Sequence, residues 1–394
     1  MSGLVDELGA RLEALGARDR RRTLTPAAGI DFSSNDYLGL SRHPHLRRTL
    51  AERLAAGAGD GGPGPTAPAS RLLRGHTSDH AAIEERLAAW KGMERALLFP
   101  SGYQANLGLL GTVVAPGDRV LSDALNHASI IDALRFSRCE KVIYPHLDAA
   151  AVAEHLARPW PGGRTFLVTE SLYSMDGDIA PLDVYADLCR RYGAELVVDD
   201  AHATGLFGRR GSGLVERFGV AADCLAVMST CGKALGVGGA FVAGGALLVD
   251  YLVNASRAFV FSTAVPPMVA WGVDAALDLV AAEPWRRQRV RELAQRLRGV
   301  LTDLPKASVP AGDGPIVPVI LGEERRALDA AASLAARGFD VRAVRPPTVA
   351  PGTSRLRLSV HADHDDSTID ALGAAIVELC GRPAAVRVAM GAGG

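Results

Sequence analysis

The chain has 394 residues, with 43 Lys and Arg against 44 Asp and Glu and a net charge of −1. That length makes two or three globular lobes, and the even charge balance excludes a nucleic-acid or anionic-membrane surface as its main business. Hydrophobic residues make up 48% of the chain, yet none of its apolar runs approaches the roughly 18 residues that a membrane helix needs.

Leu4, Leu8, Leu12 and Leu15 recur at helical spacing among charged residues, so the chain is expected to open on a helix and not on the apolar core of a secretory signal. An arginine cluster (Arg18, Arg20, Arg21, Arg22) and a short linker lead into IDFSSNDYLGL at 30–40. A helix is expected from about Leu46 to Ala56, followed by the loop GAGDGGPGPTAPAS. From Ala82 to about Val280, helical patterns alternate with ALLFP, RVLSD, KVIYP, TFLVTES, ELVVDDAH, CLAVMST and GAFVAGG. Several of these are unbroken apolar runs ending in a polar residue, as in strands buried on both faces of a largely parallel sheet. The fold class is therefore α/β, with chemistry expected at the C-terminal ends of the strands. Beyond Pro284, an Arg-rich helix (285–303), strands near 316–320 and 355–360 and helices near 325–337 and 367–380 predict a smaller α+β lobe. The expected division is an N-terminal helix and arm (1–45), a large domain (46–280) and a small C-terminal domain (281–394), with the closing VAMGAGG as a frayed tail. Cys139, Cys189, Cys224, Cys231 and Cys380 show no CxxC spacing, which points to a reduced, cytoplasmic protein without a cysteine-built metal site.

Three motifs are decoys. Gly57, Gly59 and Gly62 spell GxGxxG, but they follow a helix and precede prolines, whereas a dinucleotide fingerprint needs a strand before it and a helix after. CGKA at 231–234 resembles the end of a phosphate loop, but Val227 stands where its first glycine belongs and Ala234 where its Ser or Thr belongs. His361, Asp363, His364, Asp365 and Asp366 have metal-ligand residue types, yet they read better as a helix start with acidic residues near its N-terminus. No metal is expected.

Only four of the cations are lysines, and Lys233 follows the strand CLAVMST in a Gly-rich turn where a bulky ligand can approach the backbone. A partly buried lysine at a strand end is how a protein forms a Schiff base with an aldehyde cofactor, although alone the spacing is weak, since most lysines near turns are merely solvated. ELVVDDAH supplies Asp199 and His202 at a strand end. A carboxylate there suits the ring nitrogen of pyridoxal 5'-phosphate, with His202 near the ring oxygen, but a metal site or a structural network fits the same residues. SGYQAN at 101–106 opens a helix, so the N–H groups of Gly102 and Tyr103 suit a phosphate, with Ser101 as an ordinary N-cap the plainer reading. His127 in DALNHASI is either a satisfied loop histidine or a ring stacked on the cofactor.

The ordered set SSNDYLGL, SGYQAN, NHASI, TESLYSMDGDIAPL, VVDDAHATG, STCGKALGVGGA, STAVPP and RPPTVAPGTSRLRLS resembles the α-oxoamine synthase family of fold-type I pyridoxal phosphate enzymes, from about Arg20 to Leu379. DDAHATG, FSSNDYLGL and RPPTV before RLRLS are most similar to the branch that joins L-alanine to a pimeloyl thioester. The resemblance implies a mostly parallel seven-stranded sheet with a smaller α+β domain, a pyridoxal 5'-phosphate cofactor, and a homodimer with shared sites that takes an amino acid and an acyl thioester carried on coenzyme A or a carrier protein. It implies that Lys233 holds the cofactor and transfers the α-proton, that Asp199 faces the ring nitrogen, and that His202 and Ser174 bond the ring oxygen. His127 would stack on the ring, with Gly102, Tyr103 and Thr230 contacting the cofactor or its phosphate. Thr263 would reach the phosphate of the neighbouring subunit. Arg357, assisted by Asn35, would clamp the amino-acid carboxylate, while Arg20, Arg345 and Thr348 would hold the acyl substrate, the Arg20 cluster reading otherwise as a solvated helix end. A relative acting on glycine or serine, or an aminotransferase, is the alternative.

Three features depart from the family pattern. Only eight residues separate Arg22 from Asp31, Thr66 and Pro68 stand in a loop that is usually Gly-rich, and His146-Leu147-Asp148 replaces a common His-Asn-Asp. Proline stiffens the loop beside the expected acyl entrance.

Overall fold

The computed structural model describes residues 3–56, 64–305 and 308–380. The strands are β1 (Ile30–Asp31), β2 (Arg95–Phe99), β3 (Arg119–Asp123), β4 (Glu140–Tyr144), β5 (Thr165–Glu170), β6 (Glu195–Asp199), β7 (Cys224–Thr230), β8 (Ala240–Gly244), β9 (Ile316–Gly322), β10 (Phe339–Asp340), β11 (Arg342–Val344) and β12 (Ser354–Ser359). The chain divides into two compact units, Asn35–Ser174 with Asp178–Arg289, and Met1–Ser34 with Met175–Gly177 and Val290–Gly394.

The larger unit is built on a seven-stranded sheet in the order β2-β8-β7-β6-β5-β3-β4. Neighbours from β7 through β4 run parallel, and β8 runs antiparallel to both β7 and β2. All seven expected strands are present. Their apolar runs are explained by helices packed over the sheet: Val120, Phe166, Val168, Val197, Ala226 and Val242 share one buried cluster with Leu109, Ile130 and Leu134 from the helices Gly102–Val113 and Ala128–Ser137. The smaller unit holds an antiparallel sheet in the order β11-β12-β9, with Val317, Val319, Leu356 and Leu358 packed on Leu297, Leu334 and Ile376. It also contains the parallel pair of β1 and β10.

The N-terminal helix is Leu4–Ala17, and its leucine stripe stays exposed. Among the described residues, no helix is long and apolar enough to cross a membrane. The glycine triplet at 57–62 and the closing VAMGAGG lie outside the described residues.

One buried ion pair fixes the strand ends. Lys91 closes the helix Ser78–Lys91 with its side chain 1% exposed, and Nζ donates to Asp200 Oδ2 at 2.7 Å, to Thr204 Oγ1 at 2.9 Å and to the Ser212 carbonyl. Asp200 Oδ1 in turn accepts Ser171 Oγ at 2.6 Å, just past β5, and the Leu214 N–H at 3.2 Å. Breaking such a pair leaves a desolvated charge behind, which costs about 3–5 kcal/mol. Lys91→Met is expected to lower the thermal unfolding midpoint sharply, and the neutral double variant Lys91→Met/Asp200→Asn to recover part of the loss.

Candidate active site

Parallel strands deliver their C-terminal ends to one edge of the sheet, and there a cavity of 320 Å³ opens. Asp199, His202, His127, Gly102, Tyr103, Thr230, Asn35 and Lys233 all line it. Larger hollows exist elsewhere, but the one of 560 Å³ lies beside Arg71 and Glu84, which already pair with each other at 2.9 Å. Convergence of ionisable groups, not volume, marks the site.

Asp199 ends β6 and is 6% exposed. Its Oδ2 accepts Asn106 Nδ2 at 2.8 Å, and its Oδ1 accepts the Ala201 N–H at 3.0 Å. The same Asn106 amide reaches Ser129 Oγ at 2.9 Å, and Ser129 Oγ meets His127 Nδ1 at 2.8 Å. A chain of hydrogen bonds thus joins the carboxylate to the imidazole and spends His127 Nδ1, leaving Nε2 for a ligand. Partial desolvation and the Lys233 ammonium push the His127 imidazole below its ordinary range, against the pull of Asp199. His202 is buried with Nδ1 2.8 Å from the Tyr37 hydroxyl, which itself lies 3.0 Å from Asn35 Oδ1.

Lys233 lies in the connection between β7 and β8, which closes on itself through Cys231 N to Gly239 O and Gly236 N to Lys233 O. No helix follows it, so the phosphate-loop reading of CGKA has no structural support. The helix Gly102–Val113 points its start at the same cavity. Ser101 caps only Gln104 N, at 3.2 Å, which leaves the N–H groups of Gly102 and Tyr103 outside the intrahelical ladder. A Cβ on Gly102 would sit 2.7 Å from Thr230 Cγ2, so only glycine lets this N-terminus lie against Thr230.

These residues fit pyridoxal 5'-phosphate. Free helix N–H groups suit its phosphate, a buried carboxylate suits its protonated ring nitrogen, an amine suits its aldehyde, and histidines border the space between.

Other expected residues fall elsewhere. Ser174 lies in a turn after β5 and does not line the cavity, nor does Thr263, which is exposed and bridged to Ser70. In the smaller unit, Arg357 of β12 is 8% exposed and donates to Ser359 Oγ at 2.9 Å. Arg20 donates to Glu324 through Nε at 3.0 Å and Nη2 at 2.8 Å, Arg345 donates to the Asp19 carbonyl, and Arg22 reaches Thr348 Oγ1 at 3.3 Å. Arg20, Arg345 and Thr348 therefore gather in one basic patch of that unit. His361, Asp363 and His364 lie close together, but His364 Nε2 meets the Asp31 carbonyl at 2.9 Å and His361 Nε2 the Ser34 carbonyl at 3.3 Å, which ties the loop before the helix Asp366–Cys380. Burial pushes the Cys189 and Cys231 thiols up to about 12, so neither supplies a thiolate at neutral pH.

Asn106, Ser129, Tyr37 and Glu170 take part in the site and are absent from the expected set. Asn106 carried a signal, being the one amide amid the apolar run ANLGLLGTV, where a buried amide needs a partner. Tyr37 and Ser129 carried none, since the partners that tie them to the rest of the site, His202 and Asn106, come from distant elements.

The profile of the family described as "Aminotransferase class I and II" matches residues 27–376. The chain belongs to this family. It is 47% identical over 391 residues to an 8-amino-7-oxononanoate synthase of Anaeromyxobacter dehalogenans, covering 96% of each chain. Among solved structures, it resembles a serine palmitoyltransferase of Sphingomonas wittichii (28% identity, TM-score 0.86, 97% of this chain and 100% of that one). It also resembles an 8-amino-7-oxononanoate synthase of Francisella tularensis (25% identity, TM-score 0.74, 89% and 97%). The fold is that of fold-type I pyridoxal phosphate enzymes, and pyridoxal 5'-phosphate is the cofactor.

The backbone bears on the triplet His146-Leu147-Asp148. Leu147 has φ +56°, a left-handed conformation that costs an ordinary L-residue about 1–2 kcal/mol and that asparagine tolerates better. Its departure from the His-Asn-Asp pattern is thus first a matter of strain. Leu147→Asn is expected to stabilise the protein by about 1 kcal/mol, read as a rise in the unfolding midpoint. His146 bridges Asp123 at 2.8 Å and Asp178 at 2.7 Å, and these two carboxylates raise its pKa to about 9 against the desolvation that opposes them. A raised folded-state pKa adds stability that is complete below the ordinary histidine value and lost as the pH climbs through about 9. Wild-type unfolding midpoints should therefore fall between pH 7 and 9.5 more steeply than those of His146→Gln.

Proposed function

We propose that this chain is an 8-amino-7-oxononanoate synthase, condensing L-alanine with a pimeloyl thioester to give the amino ketone, CO₂ and the free thiol. The observation that carries the reading is the convergence of Lys233, Asp199, His127, His202 and a free helix N-terminus on one cavity, in a chain 47% identical to an enzyme of that name. The cofactor supplies an aldehyde for amine substrates and a ring that withdraws electrons from the amino acid's α-carbon.

Lys233 Nζ would be the amine that holds the cofactor, and it would take up the α-proton of the amino acid. Asp199 keeps the ring nitrogen protonated, and the donors Asn106 and Ala201 N–H keep its carboxylate aimed. With the Tyr37 hydroxyl donating to Asn35 Oδ1, its oxygen accepts the His202 Nδ1–H, and the imidazole would turn Nε2 to the ring oxygen, assisted by Ser174. His127 stacks on the ring, and its Nε2 polarises the thioester carbonyl. Gly102, Tyr103 and Thr230 hold the phosphate. Arg357 would bind the alanine carboxylate, with Asn35 assisting, and so orient the amino acid's α-carbon. Arg20, Arg345 and Thr348 bind the acyl chain's distal carboxylate.

The working form is a cytoplasmic homodimer. Thr263 does not line its own chain's cavity and is exposed, as are Leu72, Leu73 and Phe261 near it in sequence or through the Ser70 bridge, which suits a partner's phosphate site and an apolar interface. Five free cysteines suit a reducing compartment.

The purified holoenzyme is expected to be yellow, with a visible band that responds to L-alanine more strongly than to glycine or L-serine, and to release CO₂ on addition of pimeloyl-CoA. A stronger response to glycine or serine would move the substrate within the family, and release of a keto acid would make it an aminotransferase. Lys233→Ala should keep the unfolding profile but lose the alanine response and at least about a thousandfold in kcat, the scale of losing a general base and an attachment point together.

A further inference from the structure

Helix caps are usually Ser, Thr, Asp or Asn, because the first N–H groups of a helix need an acceptor. The helix Ala128–Ser137 is capped instead by His127, whose Nδ1 accepts the Ser129 backbone N–H at 3.2 Å. A backbone N–H can only donate, so the nitrogen that faces it is a bare lone pair. Ser129 Oγ lies 2.8 Å from the same nitrogen, and with no proton on Nδ1 the hydroxyl supplies the proton of that bond. The Ser129 oxygen accepts in its turn from Asn106 Nδ2 at 2.9 Å, and the same amide group donates to Asp199 Oδ2 at 2.8 Å.

The series is directed from both ends. A carboxylate only accepts, so Asn106 turns its NH₂ group toward Asp199 and has a hydrogen left for Ser129. At the far end, a proton placed on Nδ1 would face the Ser129 N–H and would take from the Ser129 hydroxyl the acceptor it holds. Asn106 is 2% exposed and Ser129 1%, so water does not replace a lost partner. An imidazole with a bare Nδ1 carries its one proton on Nε2. His127 lines the cavity, whose other titratable groups are Asp199 and Glu170 at the ends of β6 and β5, His202 after β6, Tyr103 in the helix Gly102–Val113 and Lys233 after β7. Desolvation and the Lys233 ammonium hold the imidazole below the ordinary histidine range against the pull of Asp199, in keeping with an uncharged ring at neutral pH.

We propose that Ser129 is a positioning residue that locks the His127 imidazole with its single proton on Nε2, so that the ring meets the ligand as a neutral hydrogen-bond donor. Asn106 makes this lock part of the cofactor site: one amide aims the carboxylate meant for the ring nitrogen and, through Ser129, the donor beside the ring. Such a donor stabilises negative charge that grows on a carbonyl oxygen. It does not serve as a base, since its one lone pair is spent on Ser129. The inference rests on the proposed function for which carbonyl is meant, whereas the tautomer and its lock belong to the protein without cofactor as well.

Nitrogen NMR spectra of the full chain labelled at its histidines, recorded without cofactor, read the tautomer directly, and the signal lost in His127→Gln assigns it. Wild type at pH 7 should show His127 with Nδ1 unprotonated and Nε2 protonated, a measurement that needs no change at Ser129. A proton on Nδ1, or an imidazolium, would overturn the lock. Ser129→Ala keeps the capping N–H and removes the hydroxyl that favours the neutral ring, so the His127 titration should move to higher pH. An unmoved titration in Ser129→Ala, shown to be folded by its unfolding midpoint, would overturn the role of Ser129. In the holoenzyme the same variant should lose about tenfold in kcat for joining alanine to pimeloyl-CoA, the scale of one hydrogen bond. Full kcat beside a shifted titration would overturn its part in the reaction. Should the spectra appear as expected while the wild-type holoenzyme fails to join alanine to pimeloyl-CoA, the proposed function falls and the lock on His127 stands.

Discussion

The site depends on what happens where β6 ends. Asp199 and Asp200 are consecutive, and in extended chain consecutive side chains leave on opposite sides. Asp199 therefore turns to the cavity and Asp200 to the interior, where Lys91 meets it with side chains 1% and 0% exposed. The interior carboxylate is the anchor. Through Lys91, Thr204, Ser171 and the Leu214 N–H it binds the end of a helix, the turn that carries His202, the residue after β5 and the start of a later helix to one point. Thr204 extends the anchor to Ser229, the residue before Thr230 on β7. A charge pair desolvated this far adds little to net stability, so its worth lies in geometry: the groups that face the ligand project from ends that cannot drift apart.

From the anchor outward, the cavity is organised by donors more than by charges. Asn106 bonds both Asp199 and Ser129, and Asn126 bonds two strands and the β5 terminus. Each amide sits at the start of a helix or in the loop before one, close to where the helix offers free N–H groups. The helix Gly102–Val113 thus presents an anion site at its first residues and, one turn later, the amide that aims a carboxylate at the other end of the ligand. The span between those functions is set by helix geometry, about 1.5 Å per residue, and so is fixed once the helix is packed.

The large sheet was legible in the sequence because its strands are buried on both faces, which leaves unbroken apolar runs such as FLVTE and LVVDD bounded by turns. Lys233, Asp199, His202 and His127 were legible for a related reason: a polar residue at the end of such a run, or within a few positions of it, must lie near a strand end. The two-residue strands β1 and β10 were not, since so short a pairing leaves no periodicity. Nor was Glu170, whose acidic side chain reads as the ordinary polar end of a strand until the register brings it opposite Asp199. Leu147 shows the reverse case. As residue type it looks like a lost polar contact, and only its positive φ reveals a backbone conformation that the side chain merely tolerates.

The scarcity of lysine ties these points together. Four of 43 cations are lysines, so a lysine that persists does something arginine does not. Lys141 lies exposed on β4, the edge strand of the large sheet, where a lysine discourages pairing with another chain. At position 91 the three acceptors, a carboxylate, a hydroxyl and a carbonyl, surround one nitrogen, which suits three ammonium protons and not a planar guanidinium fork. At position 233 the requirement is chemical, because a guanidinium stays protonated and cannot attack an aldehyde. A chain that otherwise writes its positive charge as arginine has kept the amine where a compact donor or a nucleophile is needed, and both positions border the same strand ends.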